Sequence, residues 1–322
     1  RISSSLQMCC HGTPGVESAI RQVRTDRDVR YQGGLGITVP NFRDVAHSSH
    51  ALVKNITPGR LLRSASPWAA SPEDVAAISA AGIRLILDLR SPQEQEQAAT
   101  CDKSGELWRR CEAGEIRRLC ISLVDMNTKA RRLFRKASWK QRLTMIGMRL
   151  GVLDNLSGMK SLMPLVEQEG LLGVYENIVQ DSAPAIRACL EALIEDSSWP
   201  VLVHCTGGKD RTGLLIALIL ASAGFREEDI VEDYNITEEY LFELYDPSNV
   251  VTPTVGNQIS PTMQRAPKAT MQALLATIAE LHGSVPEYLE NCVGFDRSKQ
   301  AVLHSKLLRS VAPDSITQHS KL

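Results

Sequence analysis

The stretch that decides the fold and the chemistry of this chain is His204-Cys205-Thr206-Gly207-Gly208-Lys209-Asp210-Arg211-Thr212-Gly213. It lies between residues 200–203, a short apolar run that predicts a buried strand, and residues 214–223, a nearly continuous apolar run that predicts a helix. A glycine-containing loop in this setting directs its backbone N–H groups and a helix N-terminus at its own centre. The sequence therefore predicts an anion-binding loop.

Cys205 and Arg211 are the two residues of this loop predicted to be catalytic. The surrounding N–H groups, the helix dipole and nearby cations favour a thiolate at Cys205, and the planar guanidinium of Arg211 can hold two phosphate oxygens. The same spacing recurs at Cys111 and Arg117, but no glycine loop and no helix start follow that pair. A nucleophile beneath a phosphate-binding loop predicts a cysteine-dependent phosphatase, in which a cysteinyl phosphate forms and is hydrolysed.

The remaining loop residues are predicted to bind phosphate or to assist the two catalytic ones. Backbone N–H groups of residues 206–211 would hold the equatorial oxygens, the Thr212 hydroxyl would help the sulfur to leave, and Lys209 would add a cation to the rim. His204 is expected to hydrogen-bond the loop from beneath. The predicted phosphate-binding set is Thr206, Gly207, Gly208, Lys209, Thr212 and Gly213.

Composition limits the range of functions. The chain has 322 residues and a net charge of −1, which gives no overall attraction to nucleic acid. No run approaches the ~18 consecutive apolar residues of a membrane span. The eight cysteines form no repeating framework, and this usage in a large chain predicts a reducing, cytoplasmic location. No metal or cofactor is predicted, since the required cations belong to the loop itself.

Strand and helix signals alternate before the loop. Ser71 is a predicted N-cap, with proline at the first helical position, and the helix ends at Gly82. Residues 83–89 predict a buried strand and residues 116–123 a further strand, and the chain after residue 183 is mostly helical outside the loop strand. This alternation predicts an α/β fold with a central mixed or parallel sheet flanked by helices.

Residues 126–153 form a one-sided basic segment. They contain eight Lys or Arg residues and no acidic residue, with apolar side chains at helical spacing among the charges. One interpretation is a helix packed by its apolar stripe, with a solvated basic face. A second is a lid, extending over about 126–175, that brings positive charge to an anionic substrate or to membrane headgroups.

Separated motifs make the chain resemble a family of bacterial and fungal tyrosine phosphatases. Besides the loop, they are residues 41–45 (NFRDV), 59–64 (GRLLRS), 82–91 (GIRLILDLRS), 233–235 (DYN) and 283–289 (GSVPEYL). The resemblance runs from about 39 to 310, with one departure at Ala46-His47, where the family has two glycines. It implies the cysteine-dependent phosphatase fold over residues 39–312. The composition of residues 1–38, which lack sustained periodicity, predicts a loose arm before this domain, and residues 313–322 are a tail after it.

Three aspartates compete for the role of the acid that protonates the leaving oxygen. Asp125 follows the strand predicted at 116–123 and precedes the basic segment. Asp210 lies inside the loop, where resemblance to the family gives it a functional role. Asp88 ends a strand beside Arg90, so a structural ion pair is the favoured interpretation. Asp125 and Asp210 remain equal candidates.

The predicted activity is hydrolysis of phosphotyrosine in proteins, with phosphoinositides as a second substrate class favoured by Lys209 and the basic segment. Membrane-surface contact through that segment is a further hypothesis, and nucleic acid is not an expected partner. Two different classes of protein stay open: a catalytically silent phospho-binding module, and an enzyme related to arsenate reductases or sulfurtransferases.

Overall fold

A five-stranded mixed sheet forms the centre of the computed structural model, which describes residue 26 and residues 29–96, 105–124, 126–153, 155–240 and 261–309. The strand order is β1-β2-β5-β3-β4; β1 is antiparallel to β2, and the other pairs are parallel. The predicted mixed α/β sheet is confirmed. The strands are β1 Arg43–Asp44, β2 Leu61–Ser64, β3 Leu85–Asp88, β4 Arg117–Cys120 and β5 Val201–His204.

Helices cover both faces of this sheet. No helix within the described ranges is long and apolar enough to cross a membrane. The helices are α1 His50–Asn55, α2 Pro72–Ala80, α3 Glu106–Glu112, α4 Met126–Lys136, α5 Trp139–Arg149, α6 Asn155–Asp181, α7 Ala183–Ile194, α8 Asp210–Ser222, α9 Glu227–Asn235, α10 Pro261–Gln264, α11 Lys268–His282, α12 Val285–Tyr288 and α13 Arg297–Leu307.

Alternation along the strands divides the core into two layers, because successive side chains of a strand point to opposite faces. Val201 and Val203 of β5 pack with the apolar helix α8 on one face. Leu202 packs on the other face with Val75 of α2 and with the aromatic residue Trp68 before it. Both faces of β5 are buried, which explains why its sequence is a continuous apolar run.

The parallel register places the carboxyl ends of three strands side by side. His204 pairs with Ser64 of β2 and with Asp88 of β3. The segments that follow these residues therefore meet at one edge of the sheet, where α/β proteins bind their ligands. The loop after His204 lies at the middle of that edge.

The packed body begins before the predicted boundary at residue 39. The hydroxyl of Tyr31 donates to Glu239 at 2.8 Å, and the backbone N–H of Thr38 donates to Asp74 at 2.7 Å. Asp74 also completes a capping box with Ser71, the predicted N-cap of α2. Residues 31–38 are thus held by side chains of the body, so the expectation of a loose arm is wrong for them.

The basic segment forms helices α4 and α5, which pack on the first part of α6. Leu133 and Ala137 of α4 meet Leu162 and Leu165 of α6 in a small apolar core of their own. Gly170, with a φ of +63°, interrupts α6 between this unit and the rest of the helix. The helical character of the segment is confirmed, and its movement as a lid stays a prediction.

Candidate active site

The carbonyl groups of the loop are bound from outside. The backbone N–H of Ser66 donates to the Thr206 carbonyl at 3.0 Å, and the Asn41 amide donates to the carbonyls of Gly207 and Gly208, each at 3.0 Å. In a trans peptide the C=O of one residue and the N–H of the next point in opposite directions. The N–H groups of the residues that follow therefore point away from these outer donors, and their binding of phosphate at the centre of the loop stays a prediction.

Gly208 is a glycine because two backbones meet there. Its φ is +63°, and a Cβ at this position would lie 2.2 Å from the carbonyl oxygen of Ser64. No side chain fits at that distance, and the left-handed conformation also disfavours one. The close approach fastens the loop against the end of β2.

A buried ionic network supports the loop from below. Asp233 of α9 accepts from Arg63 of β2 and, at 3.3 Å, from Arg43 of β1. Arg63 also donates to the Gly208 carbonyl at 2.7 Å, and Arg43 donates to Asn41. The motifs at 41–45, 59–64 and 233–235 thus converge on the loop carbonyls. Burial would raise the pKa of Asp233, but the charges of Arg63 and Arg43 hold it below its usual value.

Asp233→Ala is expected to lower the free energy of unfolding by about 3–5 kcal/mol, because it leaves two buried guanidinium groups without their counter-ion. Glu232→Ala is the matched control, since Glu232 pairs with Lys268 at 2.6 Å on the surface and its loss should cost at most about 1 kcal/mol. Urea unfolding of the two variants measures the difference. Equal losses would mean that the network does not stabilise the fold.

Arg211 is held in place by Glu94, a residue of the helical segment at 92–96. The two terminal nitrogens of Arg211 donate to the two carboxylate oxygens of Glu94 at 2.5 and 2.7 Å. Thr206 donates its hydroxyl to the same carboxylate at 2.7 Å. Burial would raise the pKa of Glu94, but the charge of Arg211 lowers it to about 2. The pair stays ionised. Of the three N–H groups of Arg211 that Glu94 does not take, two make only long bonds of 3.5 Å, to the Leu89 carbonyl and the Thr206 hydroxyl.

Glu94 is a residue of the site that the sequence analysis did not identify. Ser91 followed by glutamate three residues later is a capping box, and the structure contains one: the Ser91 hydroxyl and N–H both bond Glu94 at 2.8 Å. The same carboxylate caps a helix and orients Arg211. The sequence signal that could have identified Glu94 is a capping-box glutamate directly after the 82–91 motif. Such a glutamate needs only one carboxylate oxygen for the cap and can bind another residue with the second.

Cys205 lies at the bottom of the loop with 2% of its surface exposed. The Thr212 hydroxyl is fully buried and has no hydrogen-bond partner within the described ranges, so it is available to the sulfur. His204 bonds the Cys205 carbonyl through Nδ1 at 3.0 Å, which confirms its place beneath the loop. Its Nε2 lies 3.6 Å from Asp88, and Asp88 pairs with Arg90 at 2.9 Å and Arg118 at 2.7 Å. The structural interpretation of Asp88 is confirmed.

His204 should make stability depend on pH. Burial lowers its pKa to about 4, against the opposing charge of Asp88, whereas an unfolded histidine titrates near 6.5. Between these values only the unfolded state binds the proton, so the free energy of unfolding falls as the pH drops from about 6.5 to about 4, by ~3 kcal/mol in all. Urea unfolding at several pH values measures this loss.

The matched variants for this test are His204→Gln and His304→Gln. Burial also lowers the pKa of His304, though that residue is only half-buried. Most of the loss between pH 6.5 and 4 should disappear in His204→Gln and remain in His304→Gln. The reverse order would place the pH-sensitive group outside the loop.

Lys209 pairs with Asp210 instead of facing the rim. The Lys209 ammonium donates to Asp210 Oδ1 at 2.5 Å and to the carbonyls of Met263 and Arg265 at 3.1 and 3.2 Å. The predicted rim cation is therefore wrong: Lys209 is buried, because these carbonyls draw its side chain inward. The Tyr175 hydroxyl also donates to Asp210 Oδ1, at 2.7 Å. Oδ2 of Asp210 has no partner within the described ranges.

Tyr175 is a second residue that sequence reasoning missed. It lies in the last part of α6, beyond the kink at Gly170, and its hydroxyl bonds both Asp210 and, at 2.8 Å, Tyr234. Asp210 shares the loop with Cys205 and Arg211, and Tyr175 holds it there from a distant helix. The competing candidate acid, Asp125, lies outside the described residues.

The sheet and the loop have the arrangement of the cysteine-dependent phosphatase fold: a cysteine follows the central parallel strand, and an arginine of the next helix shares its loop. The tyrosine phosphatase family model matches residues 37–309 of the chain. The chain belongs to the tyrosine phosphatase family, and the predicted resemblance is confirmed.

Similar proteins come from several organisms. The chain is 26% identical over 218 residues to a tyrosine-protein phosphatase of Nostoc commune, covering 63% of this chain and 62% of that protein. It is 26% identical over 204 residues to a putative tyrosine-protein phosphatase of Cupriavidus necator, covering 61% and 60%. The chain thus spans about three fifths of the length of each relative.

Two further likenesses are more limited. An inositol diphosphatase of Arabidopsis thaliana is 30% identical over 93 residues, covering 26% of this chain and 47% of that protein. The solved core catalytic domain of a PP-IP phosphatase from S. cerevisiae, in complex with citrate, has a TM-score of 0.32 and 16% identity, over 66% of this chain and 90% of that one. A structural likeness this distant says nothing about the substrate.

Proposed function

We propose that the chain hydrolyses phosphate monoesters, phosphotyrosine in proteins above all, with Cys205 as nucleophile. The observation that carries the proposal is the geometry around Cys205: loop carbonyls bonded outward, a helix N-terminus at Asp210, and Arg211 fixed by Glu94. These groups supply the positioning and the positive potential on which phosphoryl transfer depends.

In the first step the Cys205 thiolate attacks phosphorus in line. The S–P bond forms, the bond to the leaving oxygen breaks, and that oxygen takes a proton from an acid. Asp210 is the proposed acid, since Tyr175 and Lys209 fix its Oδ1 and leave Oδ2 to carry the proton. The equatorial oxygens bind the inward N–H groups and the N–H groups of Arg211 not used by Glu94.

In the second step water attacks the cysteinyl phosphate and gives its proton to the Asp210 carboxylate. The S–P bond breaks, orthophosphate leaves, and the thiolate returns. The donor to the departing sulfur is proposed to be the Thr212 hydroxyl, which is buried and makes no hydrogen bond within the described ranges. Neither step needs a metal, because the positive charge comes from Arg211 and the helix dipole.

The depth of the site favours phosphotyrosine. Cys205 is almost fully buried beneath the loop, so a phosphate on a long aromatic side chain reaches it better than one on the short side chain of serine. Phosphoinositides are the second proposed class. The similarity to an inositol diphosphatase and the basic segment at 126–153 support it, whereas Lys209 no longer does. The cytoplasmic location stays a prediction.

The test is a comparison of phosphate release from a phosphotyrosine peptide, a phosphoserine peptide and a short-chain phosphoinositide. We expect kcat/KM for phosphotyrosine to exceed that for phosphoserine at least ~100-fold, about 3 kcal/mol in transition-state binding. A phosphoinositide rate near the phosphotyrosine rate would show that phosphoinositides are a second class of substrate. Tight binding of the phosphopeptide without release of phosphate would instead show a binding module. Turnover of arsenate or of thiosulfate would show an enzyme of the arsenate reductase or sulfurtransferase kind.

Asp210→Asn tests the proposed acid. A tyrosine oxygen is a poor leaving group that needs protonation, so kcat for the phosphotyrosine peptide should fall about 100-fold. Hydrolysis of p-nitrophenyl phosphate, whose leaving group is more acidic, should fall much less. Asp125→Asn is the competing variant. If it shows this dependence on the leaving group and Asp210→Asn does not, Asp125 is the acid.

Tyr175→Phe tests the positioning of that acid. Loss of the hydroxyl frees Asp210 Oδ1 on one side, so kcat for the phosphotyrosine peptide should fall about tenfold and the p-nitrophenyl phosphate rate should change little. Tyr288→Phe is the matched control, because the buried Tyr288 hydroxyl donates at 2.7 Å to the Val179 carbonyl and makes no bond to the loop. Equal effects of the two variants on kcat would reduce Tyr175 to a stabilising role.

A further inference from the structure

Helix α5 turns an apolar stripe to solvent. Trp139, Leu143, Ile146 and Leu150 follow one another at helical spacing, and we call these four residues the outer face of α5. Trp139 is 68% exposed, Leu143 58% and Leu150 71%. Isolated apolar residues are normal on a protein surface, whereas a continuous stripe marks an interaction site.

The opposite face of α5 already supplies the packing that the fold requires. Met145 and Met148 lie against the small core formed by Leu133 of α4 and Leu162 of α6. Arg142 ties α5 to α4 by donating to the carbonyls of Phe134 and Ala137, each at 3.0 Å. The outer face is therefore not needed to hold α4, α5 and the first part of α6 together.

Cations border the outer face on both sides. At about 100° per residue, Lys140 falls on one side of the stripe, and Arg142 and Arg149 fall on the other. Lys140 and Arg149 are exposed, and residues 126–153 contain no acidic residue. Long basic side chains beside an apolar stripe with a tryptophan at one end match the interface between lipid headgroups and acyl chains.

We propose that the outer face of α5 and its flanking cations dock on an anionic phospholipid surface. A second copy of the chain is disfavoured as the occupant, since a symmetric interface would oppose two sets of like charges. The apolar stripe would enter the headgroup boundary and the cations would contact lipid phosphates. The proposal concerns the surface to which the protein binds. It is valid for any phosphate monoester that the protein hydrolyses.

The test is flotation of the full chain with vesicles of phosphatidylcholine alone and of phosphatidylcholine with phosphatidylserine. Phosphatidylserine is a phosphodiester and so not a substrate of the proposed kind, which keeps the active site out of the readout. We expect binding only to the anionic vesicles, reduced by added salt. Lys140→Gln with Arg149→Gln should weaken the partition about twenty- to thirty-fold, at roughly fivefold per cation.

Leu143→Gln with Leu150→Gln should weaken the partition at least about tenfold. Leu281→Gln is the matched control, because Leu281 of α11 is 59% exposed outside the basic segment and its replacement should change nothing. Urea unfolding checks that every variant is folded. Since the readout is vesicle binding, the result does not depend on phosphatase activity. Binding that survives the outer-face variants overturns the proposal. The proposal is also overturned if the wild-type protein is a dimer that does not bind vesicles, and if the variant Leu143→Gln with Leu150→Gln is a monomer.

Discussion

Cys205→Ser is expected to reduce kcat for a phosphotyrosine peptide by at least ~10⁴-fold while the peptide still binds. A serine hydroxyl stays protonated where a thiol ionises, so the nucleophile is lost. The inward N–H groups of the loop and the Arg211–Glu94 pair do not involve the sulfur and remain to hold phosphate. Single-turnover kinetics measures the first effect, and calorimetric titration with the phosphopeptide measures the second.

Cys189→Ser is the matched control for this variant. Cys189 of α7 is buried like Cys205, and burial raises the pKa of its thiol, so it is an inert core residue. Its replacement should lower stability and leave kcat unchanged. If Cys205→Ser kept even about 1% of the wild-type rate, the sulfur would not be the nucleophile, and the network around the loop would need another explanation.

Much of the scaffold could be predicted from the sequence because its signals are local. The apolar run before the loop gives β5, Ser71 caps α2 as predicted, and the basic segment is helical. Each pattern depends on the period of one element, which the chain carries within a few residues. The loop itself is similarly local, since a strand, two glycines and a helix start lie within one short stretch.

The partners of the loop could not be predicted in this way because they come from distant parts of the chain. Asp233, Arg43 and Arg63 lie in three of the motifs that carry the resemblance, but nothing in the sequence shows that these charges are buried together. The direction of Lys209 depends on carbonyls more than fifty residues away. Tyr175 looks like one more apolar position of α6. Only the folded chain shows that its hydroxyl reaches Asp210.

Arg211→Lys is expected to lower kcat/KM for the phosphotyrosine peptide by about 10³-fold, although it keeps the charge. Arg211 holds Glu94 with one edge of its planar group and can grip two phosphate oxygens with the remaining N–H groups. A lysine ammonium is a point charge with three donors and cannot serve both partners with fixed geometry. The change weakens binding of the transition state most, because in that state charge spreads over the equatorial oxygens.

The same variant leaves the buried Glu94 carboxylate poorly paired, so part of its effect could come from a damaged fold. Arg211→Lys combined with Glu94→Gln separates the two effects, because it removes the unpaired charge and keeps the cation. We expect the double variant to regain free energy of unfolding in urea without regaining kcat/KM. Recovery of activity along with stability would mean that Arg211 only supports the loop. Recovery of stability without recovery of activity would show that the guanidinium group of Arg211 binds the phosphate during the reaction.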